Sequence, residues 1–262
     1  MPAHSSHSLA GRTALVTGVS RHEGIGFAIA HRLRSMGALV FVQSWRAHDQ
    51  DQPWGTGQIP LEQLLAELGS SSLHLPIDLS HSEAPLRLVE AARVALGHID
   101  ILIANHARSS QQSLEQLTAE ELDLSFQVNA RSTLLLIKEW AAQYDDAKTT
   151  GRVIMLTSGQ HLEPMPSEIP YAAAKAVIQQ MTPTLASHLG RRRITVNSIN
   201  PGPTDTGWAT PQTHERVLRQ MPFGRWGAPD DAASLVAWLA SDEGQWITGQ
   251  TINSEGGFSL RD

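Results

Sequence analysis

Tyr171 and Lys175 stand four residues apart at the start of a stretch with helical character. Four residues make about one helical turn, so the two side chains share a face. An ammonium beside a phenol favours the phenolate and lowers a pKa that starts at about 10. A tyrosine so placed can exchange a proton as general acid or base near neutral pH. Ser158 lies thirteen residues upstream, just past the β-rich run 153–157. A hydroxyl there can donate to a carbonyl oxygen as negative charge develops on it. Asn129 falls in a Val-Asn-Ala context inside a long helical stretch, where asparagine is a mediocre helix former. The chain's other tyrosine, Tyr144, has Lys148 at the same spacing. It lies at the polar end of its stretch and has no comparable serine upstream.

Gly18, Gly24 and Gly26 form a second group, between the run 13–17 and the helical stretch 27–36. Glycine there permits a tight turn and close approach of the backbone to a pyrophosphate, and a helix N-terminus adds unpaired N–H groups. Ser20, Arg21 and Ile25 share the loop and join the glycines as candidate dinucleotide contacts. NAD binders usually carry an acid about 20 residues past such a loop, against the ribose hydroxyls. Here the second strand ends Gln43-Ser44-Trp45-Arg46. Arg46 and Arg21 would attract a 2′-phosphate, and no acid at the strand end repels it. Asp49, further along, opposes this. The balance of charge favours NADP(H) over NAD(H).

These residues need a scaffold that brings distant segments to one edge. β-rich segments at 13–17, 38–43, 73–77, 99–104, 153–157, 194–199 and 250–253 alternate with helical ones at 27–36, 61–68, 84–96, 119–144, 171–189 and 230–240. Such alternation predicts an α/β fold: a single doubly wound parallel sheet (Rossmann fold) of about seven strands, with helices on both faces. Ligands in such sheets sit outside the carboxyl ends of the strands. Ser158, the glycine loop and Asn200-Pro201-Gly202 all fall at such ends. So does the Gly-, Pro- and Thr-rich segment 204–223, with Thr204, Thr206 and Trp208, which is expected to form a substrate lid. Pro183 should kink the helix that carries Tyr171. Residues 1–10 are expected to be a flexible tail and 11–262 one domain.

The 262 residues contain no cysteine, which excludes a disulfide scaffold, a thiolate metal site and a cysteine nucleophile. The twelve histidines form no metal-ligand cluster. A net charge of -6 gives no reason to expect nucleic acid or an anionic membrane as partner. No apolar run approaches the roughly 20 residues of a membrane span, and a cytoplasmic protein is expected. Trp45, Trp54 and Trp208 either line a pocket or pack loops down. His161 either borders the substrate or lies on the surface. Arg191, Arg192 and Arg193 either complement a helix dipole or dock an acidic carrier protein.

Taken together, these motifs resemble the short-chain dehydrogenase/reductase family from about Thr13 to Gly257. Thr17-Gly18 through Gly24-Ile25-Gly26 is similar to its cofactor loop, and Asp78-Leu79 to its adenine-contacting pair. Ala104-Asn105-His106-Ala107 is similar to its Asn-Asn-Ala-Gly segment. Asn129, Ser158, Tyr171 and Lys175 match its catalytic tetrad, Pro201-Gly202 its nicotinamide-side loop, and Thr206 its carboxamide-binding threonine. Ile247-Thr248-Gly249-Gln250 and Glu255-Gly256-Gly257 resemble its C-terminal segment.

The resemblance implies that Tyr171 exchanges the proton and Ser158 holds the substrate oxygen. It also implies that Lys175 lowers the tyrosine pKa and binds the nicotinamide ribose, that Asn129 positions a relay water, and that the chain forms a dimer or tetramer. The substrate would be a small carbonyl or alcohol compound, with a 3-oxoacyl thioester the first named candidate.

Two departures stand out. Five residues, not three, separate Gly18 from Gly24, which should reshape the phosphate pocket around Arg21 and His22. Divergent enoyl-thioester reductases of the superfamily share such a loop but place lysine seven residues after the tyrosine, where this chain has Ile178. The alternatives are therefore an enoyl-thioester reductase, or a non-catalytic cofactor-sensing protein on the same fold.

Overall fold

The computed structural model describes residues 8–69, 73–147 and 150–260. Seven strands form one fully parallel sheet in the order β3-β2-β1-β4-β5-β6-β7. They are β1 (Thr13–Val16), β2 (Leu39–Ser44), β3 (His74–Pro76), β4 (Ile101–Ala104), β5 (Gly151–Leu156), β6 (Ile194–Asn200) and β7 (Thr251–Asn253). Side chains alternate between faces along a strand, and here both sets are apolar. Ala14, Val16, Ile101 and Ile103 join one core with α1 (Ile25–Ser35), α3 (Leu61–Glu67) and α9 (Pro229–Ala240). Leu15 and Leu102 join the other, with α4 (Ala84–Leu96), α6 (Ser132–Gln143) and α7 (Ile169–Leu189). Strands buried on both faces explain the near-continuous apolar runs. The chain leaves β1 toward β2 on one side, and β4 pairs on the other. The crevice at this switch in direction is where the glycine loop and Asn105 meet.

Four local features differ from expectation. A short helix, α2 (Arg46–Gln50), forms within the polar stretch after β2. The segment 204–223 contains α8 (Pro211–Leu218), capped by Thr210, whose hydroxyl accepts from Thr213 N–H with Pro211 in the first turn. That Thr-Pro pair is an N-terminal signal readable in the sequence. The long helix expected at 119–144 is α5 (Ala119–Ser125) and α6 joined by a π-helical turn, Phe126–Arg131. Finally, α7 runs through Pro183 without interruption. Pro183 faces solvent, where water can satisfy the carbonyl left without its backbone partner.

The expected tail also reaches too far inward. Leu9 is 1% exposed and its N–H donates to Met36 O at 2.8 Å. Residues 1–7 lie outside the described residues, as does Lys148.

Candidate active site

The glycine loop turns at Gly18, whose φ of +75° falls in the left-handed region. Its N–H donates to Gln43 Oε1 at 2.9 Å. Asn105 Nδ2 reaches over from the end of β4 and donates to Thr17 O at 3.0 Å and Gly18 O at 3.2 Å. Gly26 fits beneath this contact: a Cβ there would lie 2.3 Å from Gly18 O and 2.6 Å from Asn105 Nδ2. Gly24 caps α1, with no side-chain cap and no acid in the first turn. The first N–H groups of α1 therefore open onto the cleft with a favourable dipole, a cradle suited to a pyrophosphate.

The longer loop carries Arg21 back across the cleft. Its Nε lies 3.2 Å from Asp49 Oδ1, and its Nη1 donates to Thr206 O at 2.8 Å. Trp54 lies under the guanidinium at 5.7 Å. Burial holds the Arg21 pKa below its ordinary value, against the opposing charges of Asp49 and Glu23.

Arg46 and His22 take other roles than the sequence suggested. Arg46 turns away from the cleft, donating through Nε to Ser20 O and through Nη2 to Thr56 O and Ile59 O, at 2.7–3.1 Å. Three unpaired loop carbonyls outcompete the cleft for its donors. His22 points outward, 3.4 Å from Glu67 and packed on Phe27 at 4.4 Å.

A cleft of about 1020 Å³ runs from this loop across the carboxyl ends of the strands. Gly18, Ser20, Arg21, Gly24, Ile25 and Gly26 line one end. Asp78 and Leu79 lie there too, with Asp78 Oδ1 accepting from Ser80 N–H at 2.8 Å. Asn105, Pro201, Gly202, Thr204 and Thr206 line the middle, and Ser158 and Tyr171 the inner wall. Trp45, Trp54 and Trp208 all line the cleft, whereas His161 is an exposed loop residue outside it. Arg192 caps a neighbouring helix end: it donates to Ala141 O and Tyr144 O and pairs with Asp146. Among the described residues no group of side chains is arranged to hold a metal.

Lys175 is 2% exposed and sits behind Tyr171, with Nζ 5.8 Å from the phenol ring centre. Nζ donates to Leu156 O at 2.7 Å. Burial pushes the Lys175 ammonium down to about 8. The Tyr171 phenol is pushed up to about 12, first by burial, with the Ser158 hydrogen bond opposing and the Glu168 charge adding to the rise. The shift runs opposite to the lowering expected from the nearby ammonium, because removing the phenolate from water outweighs the Ser158 hydrogen bond.

Asn129 is buried in the π-helical turn and forms a reciprocal pair with Arg108, Nδ2 to Arg108 O at 2.9 Å and Arg108 N–H to Oδ1 at 2.7 Å. Its side chain braces the loop after β4 and does not line the cleft.

Sequence reasoning missed three supports. Gln43 ties the glycine loop to Ile77 O. Thr157 Oγ1 donates to Lys175 O at 3.0 Å. His106 lies between Thr17 Oγ1 at 2.7 Å and, through Nε2, Ser132 Oγ at 2.6 Å and Val128 O at 3.0 Å. A carbonyl only accepts, so Nε2 carries the ring proton and Nδ1 accepts from Thr17. Burial, then the charge of Lys175, pushes the His106 pKa down to about 3. His106 is a neutral brace, and its place in Ala104-Asn105-His106-Ala107 at the carboxyl end of β4 was the available signal.

A family model described as enoyl-(acyl carrier protein) reductase, of the short-chain alcohol dehydrogenase type, matches residues 18–259. The chain belongs to the short-chain dehydrogenase/reductase family. The uncharacterized oxidoreductase YjdA of Bacillus subtilis (strain 168) is 41% identical over 248 residues, 94% of this chain and 96% of that protein. The NADPH-dependent aldehyde reductase-like protein, chloroplastic, of Arabidopsis thaliana is 33% identical over 272 residues, covering 98% and 100% of the two chains. Among solved structures, the angucycline C-6 ketoreductase LanV with bound NADP superposes with a TM-score of 0.84 at 31% identity, covering 97% of each chain. This short-chain dehydrogenase/reductase is therefore an oxidoreductase.

Proposed function

We propose that the chain is an NADP(H)-dependent carbonyl reductase that interconverts a ketone and the secondary alcohol. The observation that carries this reading is one cleft that joins the glycine cradle to Ser158 and Tyr171, with Lys175 buried behind them. The cradle fits a dinucleotide: Gly18, Gly24 and Gly26 line it without side chains, and the α1 N-terminus is uncapped. Gly18, Ser20, Gly24, Ile25 and Gly26 would hold the pyrophosphate side, Asp78 and Leu79 the adenine, and Asn105, Pro201, Gly202, Thr204 and Thr206 the nicotinamide side. When bound, the nicotinamide supplies or accepts the hydride.

The chain's own residues handle oxygen and proton. Ser158 donates to the carbonyl oxygen as charge builds, and Tyr171, neutral through the working range, delivers its proton to that oxygen. Lys175 supports Tyr171 from behind, its Nζ held by Leu156 O and outside the cleft lining, so that a contact with the ribose would require it to exchange that bond, and Asn129 holds the surrounding backbone in place. The description of the matching family model also names enoyl reduction. A lysine four residues after the tyrosine, with Ile178 at 1% exposure in the core, favours carbonyl chemistry. Assays of one ketone and one enoyl thioester with NADPH separate the two. The segment 204–223, whose Trp208 and Val217 line the cleft, would act as a cover over the substrate, and the chain would work as a cytoplasmic homodimer or homotetramer.

The cofactor preference rests on Arg21, on the lack of an acid at the end of β2, and on the NADP(H) named for two relatives. Arg21→Ala is expected to weaken NADPH binding about tenfold more than NADH binding, since only NADPH carries the extra phosphate. Arg46→Ala should affect both cofactors alike, through the loop it braces. Fluorescence titration checks this, and tighter binding of NADH by the unaltered protein would refute the preference.

The pH dependence follows from Tyr171 and Lys175. Tyr171 keeps its proton to about 12, so the acid for reduction is not the first group lost. Lys175 loses its charge above about 8, so kcat/KM for ketone reduction should decline as pH rises through about 8. Alcohol oxidation needs Tyr171 to accept a proton, and should gain rate toward alkaline pH. The limbs of a pH–rate profile report the essential acid and base, so a reduction profile flat from about pH 7 to 10 would contradict this assignment.

A further inference from the structure

The substrate half of the cleft holds a carboxyl that the mechanism above does not use. Glu168 lines the cleft three residues before Tyr171, on the approach to α7. Its backbone is pinned on both sides: its N–H donates to Met165 O at 3.1 Å, and its carbonyl accepts from Ala172 N–H at 2.8 Å. It occupies the N-cap position of α7, yet its side chain makes no capping bond. Among the described residues the carboxyl has no hydrogen-bond or ion-pair partner, although the residue is half-buried. Several other acids along the cleft are engaged: Asp49 by Arg21, Asp78 by Ser80 N–H, and Glu255 by Ser259. Leu162, Pro164, Met165, Trp208 and Val217 give the cleft lining apolar members alongside polar ones such as Ser167 and Gln220.

A half-buried carboxyl without a donor is unfavourable, and a ligand that brings one gains from it. From this placement we infer that Glu168 is a specificity-determining residue, which receives a hydrogen-bond-donating substituent, a hydroxyl or an ammonium, carried near the reacting carbonyl. The inference rests on the carbonyl-reductase reading and narrows its substrate class. It disfavours substrates with an anionic group near the carbonyl, which Glu168 would repel. The cation Arg216, on α8, also lines the cleft, and an ion pair between it and Glu168 is the rival use of the carboxyl.

The test compares three phenyl ketones that differ only at the β-carbon, bearing an ammonium, a hydroxyl or hydrogen, with unaltered protein, Glu168→Gln and Glu168→Leu. The unaltered protein is expected to prefer at least one donor-bearing ketone over the plain one by about 10- to 100-fold in kcat/KM. Glu168→Leu should bring that ratio close to one. Glu168→Gln should keep part of a preference for the hydroxyl, since an amide oxygen still accepts, and lose a preference for the ammonium, so the two arms identify the donor. Equal kcat/KM for all three ketones in the unaltered protein overturns the inference and leaves the carbonyl-reductase reading standing. So does an equal loss on all three in both variants, which would assign the carboxyl to Arg216 and the cover. Failure to reduce any of the three with NADPH or NADH, with cofactor binding intact, overturns both.

Discussion

Tyr171→Phe is expected to lower ketone reduction by about 100- to 10,000-fold, the usual contribution of a positioned general acid, while cofactor affinity stays within a few-fold. Phenylalanine keeps the ring that packs above Lys175 at 5.8 Å and removes only the phenol oxygen. The backbone of α7 and the Lys175 bond to Leu156 O are untouched, so the fold and the cradle should survive. The alternatives for proton delivery are poor. His106 is held neutral between Thr17, Ser132 and Val128, with a pKa pushed down to about 3. His161 is outside the cleft. Steady-state turnover combined with NADPH titration checks the outcome. A variant with cofactor affinity intact and turnover within about tenfold of the unaltered protein would remove Tyr171 from the mechanism.

Gly26→Ala is expected to weaken cofactor binding by about 100-fold or more, on the scale of an ångström-sized misplacement in a binding site. The added Cβ would meet Gly18 O at 2.3 Å and Asn105 Nδ2 at 2.6 Å. The nearer atom is backbone, so the loop must move, and moving it breaks the Asn105 clamp on Thr17 O and Gly18 O. Overpacking of this kind also costs stability, about 1–3 kcal/mol. Gly190→Ala is the control, because that position has φ -60° and nothing within 4 Å of an added Cβ. It should be neutral or slightly stabilising. Isothermal titration with NADPH and thermal melting check both variants, and an unchanged affinity in Gly26→Ala would show that the cradle is not the cofactor site.

Features that depend on neighbours along the chain were readable from the residues alone. The run Ile99–Ala104 reads as a doubly buried strand because it is almost wholly apolar, and the structure buries all four residues of β4. Tyr171 and Lys175 could be paired because four residues on a helix return to the same face. The glycine loop and Ser158 could be placed at carboxyl ends because alternating strands and helices leave few topologies. Even α8 was announced by Thr210-Pro211, though the surrounding Gly and Pro masked it.

What the tertiary structure decided depends on groups far apart in sequence. Whether Arg46 faces a phosphate was settled by the carbonyls of Ser20, Thr56 and Ile59, which no periodicity in the strand reveals. Arg21 meets Thr206 across 185 positions, and His106 meets Thr17 across 89. The direction of the Tyr171 shift was set in the same way. A lysine one turn away argues for a lower pKa, but desolvation is contributed by every element that closes around the phenol, and it wins. Spacing tells which side chains can meet; solvent exclusion and competing hydrogen-bond partners, which only the packed chain supplies, tell what they do when they meet.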